Sequence, residues 1–207
     1  QWEGGEGKVA AQYLTALYQL AKAAVEKEDY AEAKELLLRA VGEYPHNLGE
    51  GKLESGQENN LYYLLGLVQE KLGEAKDAFE SLTRACCGES EPVGMMYYND
   101  QPPEMIYYQG LAYRMLGEEE QAVRRFQKLV DYGREHIRDD VKIDYFAVSL
   151  PDLLIFEENL NERNRKHCLF MMSLGLKGLG RIDEAEKCAE ELLAMDNAHQ
   201  EIRVHDL

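Results

Sequence analysis

Apolar and small residues recur along this chain at a fixed internal spacing. Leu20, Leu65 and Met172 each precede a small residue, namely Ala21, Gly66 and Ser173. Gly66, Gly73, Ala78 and Ala85 mark one copy of a longer frame, and Gly110, Gly117, Ala122 and Leu129 mark the next at the same offsets. Ser173, Gly180, Ala185 and Leu192 mark another, and Ala21, Glu28, Ala33 and Ala40 mark the first. Larger apolar residues hold the intervening positions: Tyr113 and Leu176 on the first helix, Leu37, Leu82 and Phe126 on the second. Such a frame predicts a helix, a turn and a second helix, with small residues where the two helices cross at about 8–10 Å. Gly73, Gly117 and Gly180 supply a left-handed residue to end the first helix, and Pro45 fits a break after the second. One such unit cannot bury its apolar face alone, so copies must stack.

The copies are placed at 14–47, 59–92, 103–136 and 166–199, separated by three linkers. Residues 48–56 contain Gly49, Gly51 and Gly56 and read as a flexible crossing. Residues 93–102 carry Met95, Met96, Tyr97 and Tyr98 before an Asn99-Asp100 turn signal. The longest, 137–165, holds Ile143, Tyr145, Phe146, Val148 and Leu150, then a helix start at 149–152, then Leu153, Leu154, Ile155 and Phe156. That apolar content predicts an extra packed element before the last copy.

This frame resembles the tetratricopeptide repeat (TPR), a helix pair of about 34 residues with small residues at repeat positions 8, 20 and 27. The resemblance implies an all-α, TPR-type right-handed α-solenoid of about four repeats, running as one domain over 1–207, with nine or ten helices and a packed insertion at 137–165. Departures are Glu28 in place of the turn glycine, Leu129 and Leu192 in place of the small residue at position 27, and Gln69 and Gly178 near positions where larger apolar residues are expected. Segments 47–52, 98–101 and 144–152 also resemble the C-terminal TPR region of large bacterial proteins whose N-terminal β-sandwich portion is similar to carbohydrate-active enzymes. With Gln1 in place of an initial Met, this second resemblance implies a fragment of a longer chain.

Composition narrows the function. A formal charge of −16 argues against nucleic acid, which needs clustered Lys and Arg to release counterions, and reads as a solvated exterior. No run approaches the length of a membrane span. The four cysteines form no disulfide pattern, and with no visible signal peptide they point to free thiols in the cytoplasm. No zinc-type spacing occurs, so neither metal nor cofactor is expected.

Catalytic motifs are absent. Gly51-Lys52 and Gly7-Lys8 lack the other residues of a phosphate loop. Pairs such as Asp139-Asp140 and Glu157-Glu158 are expected by chance among 39 acidic residues. His167 next to Cys168 lacks the flanking motif of a thiol nucleophile. The chain is read as a non-enzyme.

In TPR arrays the concave face is lined mainly by the first helix of each repeat. Position 5 carries Tyr18, Tyr63, Tyr107 and Phe170, read either as an aromatic ladder for a ligand or as packing between helices. Lys22, Lys71, Arg114 and Lys177 stand near them, with His167 at the same face, and would suit an acidic peptide or a free carboxylate. Tyr18, Lys22 and Leu64 do not match the clamp that holds chaperone C-termini. The function expected is a non-catalytic scaffold for a protein, a peptide or another domain of its own parent chain. The rivals are an appendage that orients an absent carbohydrate-active domain, and a self-assembly module.

Overall fold

The computed structural model describes residues 8–42, 44–45, 57–94, 100–142 and 159–205. The expected crossing at 48–56, the Met95–Tyr98 cluster and the apolar insertion at 143–156 lie outside the described residues. Among those described there are nine helices: α1 (Lys8–Glu26), α2 (Tyr30–Val41), α3 (Asn59–Lys71), α4 (Ala75–Ala85), α5 (Pro103–Met115), α6 (Glu119–His136), α7 (Leu160–Gly178), α8 (Ile182–Met195) and α9 (Gln200–Val204). The fold is all-α and of TPR type.

The four turns are built alike. In each, the second residue after the helix end has positive φ: +59° at Glu28, and +79°, +82° and +75° at Gly73, Gly117 and Gly180. The next amide then reaches five residues back: Asp29 to Ala24, Glu74 to Gln69, Glu118 to Tyr113 and Arg181 to Leu176, each at 2.9 Å. This pairing satisfies a carbonyl that the helix end leaves open. Glycine adopts the conformation without strain; Glu28 adopts it against its own Cβ.

The contacts divide the chain into two compact units, Gln1–Gly88 with Met115–Gly117, and Glu89–Arg114 with Glu118–Leu207. In the first unit, α1 pairs with α2 and α3 with α4, and α2 packs on α3. Ala21, Ala33, Ala40, Ala78 and Ala85 are all buried at the crossings. A Cβ on Gly66 would stand 2.7 Å from Leu82 Cγ and 3.3 Å from the Ala78 carbonyl, so helix approach there depends on the missing side chain. Lys34 of α2 bridges to Glu74 at 2.5 Å.

In the second unit, Phe126 of α6 is fully buried between two glycines. A Cβ on Gly110 of α5 would sit 2.4 Å from its ring, and one on Gly178 of α7 would sit 2.2 Å away. Gly178, an irregularity in the repeat frame, thus makes room for the largest fully buried side chain among the described residues. Gly133 of α6 admits Met172 and the Cys168 carbonyl of α7 in the same manner. Leu129 and Leu192, the larger residues at position 27, are fully buried.

Two positions depart from the repeat pattern. Leu20 is 56% exposed. Met172, at the equivalent position, packs on the preceding hairpin at Gly133, and no described helix precedes α1. Helix α7 also begins at Leu160, inside the span assigned to the insertion. Asn159 caps it, its side-chain oxygen accepting from the amides of Asn161 and Glu162 at 3.1 and 3.2 Å.

Candidate partner-binding face

The residues expected on the first-helix face fall into three environments. Tyr18, Tyr107 and Phe170 are buried, at 3%, 6% and 3% exposure. They are packed side chains here, not open rungs: Tyr107 lies 5.7 Å from Phe126 and 5.4 Å from Tyr108, ring centre to ring centre. An aromatic at every copy fits packing as well as it fits a ladder, since both need a large flat side chain at one helical position. Tyr63 of α3 retains partial exposure, and Lys71 at the end of the same helix is exposed. Lys22 lies over the Tyr18 ring at 5.9 Å.

Arg114 is committed to its own hairpin. Its Nε donates to Glu119 Oε2 at 3.0 Å and its Nη2 to Oε1 at 2.8 Å, while the guanidinium stacks on Phe126 at 4.9 Å. That fork holds the Glu119 carboxyl below its usual range. His167 donates from Nε2 to the Val93 carbonyl at 2.8 Å. Burial lowers its pKa to about 4, against the pull of that bond, so the ring is neutral and structural at neutral pH. The neighbouring Cys168 thiol is buried and pushed up to about 12, by desolvation first and then by Asp139. A protonated thiol beside a neutral imidazole that is already bonded to a carbonyl is no nucleophilic pair.

Phe170 and Lys177 lead to the part of the site that sequence reasoning missed. Helix α9 comes back onto the first-helix residues of the second unit. Ile202, Val204 and His205 are buried there. The His205 ring lies 6.3 Å from Phe170, and His199 lies 5.5 Å from the same ring. Tyr108 of α5 meets His205 Nδ1 through its hydroxyl at 2.9 Å. Lys177 Nζ donates to the His205 carbonyl at 3.4 Å. A five-residue segment of the chain itself therefore occupies residues that the repeat frame assigns to a ligand. The signal in the sequence is slight: Ile202 and Val204 alternate with polar residues over too short a span to mark a docked helix.

The same docking gathers titratable groups. Ligand atoms of Glu104, Glu201 and His205 all lie within 4.8 Å of one another, and Glu201 Oε2 is 3.2 Å from His205 Nε2. Burial pushes the Glu104 carboxyl above its usual range; His205 pulls it down and Glu201 pushes it up. The sequence pattern assigned no metal ligands because Glu104 is far along the chain from Glu201 and His205. No described helix is long and apolar enough to cross a membrane.

Models of the tetratricopeptide repeat match residues 18–92 and 104–132. Together with the four similarly built turns and the all-helical hairpins, these matches show that the chain carries tetratricopeptide repeats. Repeats of this kind are in general protein-interaction scaffolds without catalytic activity. Among solved structures, a crystal structure of MamA is 19% identical, covering 89% of this chain and 78% of that one, with a TM-score of 0.33. A tetratricopeptide repeat protein from Parabacteroides merdae is 17% identical over 91% of this chain and 68% of its own, with a TM-score of 0.33. Superposition at that level carries no argument about function.

Proposed function

We propose that this chain is a non-catalytic scaffold that binds an acidic peptide segment of a partner protein on first-helix faces of its repeats. The observation that carries this reading is α9. A short helix with two buried aliphatic residues and a stacked histidine is held on first-helix residues of the second unit, with a lysine donating to its backbone carbonyl. This is how a helical peptide engages a receiving face: apolar anchors give affinity, and a cation at the carbonyl end of the helix favours one direction.

In the first unit the corresponding helices α1 and α3 carry Lys22, Tyr63 and Lys71. These are the residues assigned to partner contact there. Tyr63 offers aromatic area at little entropic cost, and the lysines favour carboxylates in an otherwise acidic chain.

The test is retention of proteins on the immobilised chain, identified by mass spectrometry, with Tyr63→Ala/Lys71→Glu as the comparison. A partner retained by the natural chain and lost from the double variant at unchanged helicity supports the reading. An identical set retained by both contradicts it.

A further inference from the structure

We propose that Glu104, Glu201 and His205 form a binding site for one divalent transition-metal ion of the zinc class, clasping α9 to α5. The inference does not require the partner-binding reading, although both start from the docking of α9.

Geometry comes first. At metal–ligand distances of about 2.0–2.1 Å, ligand atoms of a tetrahedral zinc site stand roughly 3.3 Å apart. His205 Nε2 and Glu201 Oε2 are already 3.2 Å apart. Ligand atoms of all three residues lie within 4.8 Å of one another, so a small shift of the Glu104 carboxylate would close the set. Glu201 and His205 share one helix face at i and i+4, and Glu104 approaches from the start of α5. Nitrogen and oxygen donors without thiolate suit zinc and its neighbours.

Charge points the same way. Acidic clusters are common on solvated surfaces, but Glu104 is only 8% exposed and His205 only 5%. Among the described contacts, no donor from another residue hydrogen-bonds the Glu104 carboxylate. Glu104 and Glu201 bring two carboxyl groups to a poorly solvated place, where a bound divalent cation would balance the charge they carry when ionised.

Orientation completes the case. Metal-bound histidines hold their second ring nitrogen in a hydrogen bond, and Tyr108 is placed at Nδ1. Without an ion, Nε2–H donates to Glu201 and the Tyr108 hydroxyl donates to Nδ1. With an ion on the Nε2 lone pair, the ring proton resides on Nδ1 and donates to the Tyr108 oxygen. A tyrosine hydroxyl serves in either role, so the bond survives the exchange. Phe170 walls the ring on one side, and a water would take the fourth position.

The competing arrangement is an imidazolium held between two carboxylates, which takes no metal. Isothermal titration of Zn²⁺ into the full, chelator-treated chain separates the two. The expected result is one ion per chain, with binding at least tenfold weaker in Glu104→Gln and in Glu201→Gln. Because Glu201 is half-buried, its variant is expected to fold even where the Glu104 variant does not. Tyr108→Phe is expected to weaken binding by about 10–100-fold, and Cys86→Ser/Cys87→Ser to leave it unchanged. Absence of saturable uptake, or uptake that survives Glu201→Gln and disappears with the cysteines, overturns the proposal.

Discussion

The Tyr108 hydroxyl stands 2.9 Å from His205 Nδ1, tying the third repeat's first helix to the last described turn of the chain. Both side chains are buried, so neither has water as a ready substitute partner. Tyr108→Phe should therefore destabilise the chain by about 1–3 kcal/mol, the cost of an orphaned buried group. Melting followed by circular dichroism should fall by several degrees, with helicity before the transition unchanged. An unaltered midpoint would mean that the bond contributes nothing.

Gly110 lets the Phe126 ring lie against α5. Gly110→Ala would place a Cβ 2.4 Å from that ring, and α7 already crowds its other side at Gly178. Overpacking of this kind costs about 1–3 kcal/mol. Urea denaturation should show a lower midpoint with an unchanged slope. A variant as stable as the natural chain would show that the hairpin yields easily.

Glu28 is the one residue other than glycine with positive φ among those described, at +59°. Its three counterparts in later turns are all glycine. Replacement Glu28→Gly should stabilise the chain by about 1 kcal/mol, because the left-handed conformation costs a side-chain residue about 1–2 kcal/mol and glycine almost nothing. A lower melting temperature would reveal a role for the Glu28 side chain that outweighs backbone strain.

His167 predicts a pH dependence of definite sign. Its pKa in the folded chain is about 4, below the unfolded value of about 6.5. Between these values the unfolded chain binds the proton and the folded chain does not. This contribution is whole above about pH 6.5, falls as pH drops toward 4, and levels off below. The slope for one such group is at most about 1.4 kcal/mol per pH unit. His167→Gln, which keeps a donor for Val93 but does not titrate, should flatten that part of the stability profile. Parallel profiles for the two proteins would contradict the assignment.

The repeat frame is legible because its determinants are local. A turn glycine and the small residues at a crossing obey fixed offsets, and each appears in the structure at its expected place: Gly73 at the turn, Ala78 and Ala85 buried on α4. Exposure of Leu20 escapes the pattern because position 7 needs a preceding helix to bury it. The aromatics at position 5 defeat sequence reading for a different reason. A tyrosine that packs and a tyrosine that binds have the same periodicity, and only burial separates Tyr107 from Tyr63. Least legible is the cluster at α9. Glu104, Tyr108, Phe170 and Lys177 meet Glu201 and His205 only because a five-residue helix docks, and nothing local announces where such a helix goes.

That docking underlies both the receiving-face reading and the cation site, and amide hydrogen exchange of the full chain tests it directly. An isolated helix of five residues has no stability in water. Exchange at Val204 and His205 slowed to a rate comparable with the middle of α5 is the predicted result, since docking against residues such as Tyr108, Phe170 and Lys177 slows it. Exchange at the rate of an unstructured peptide would contradict the account.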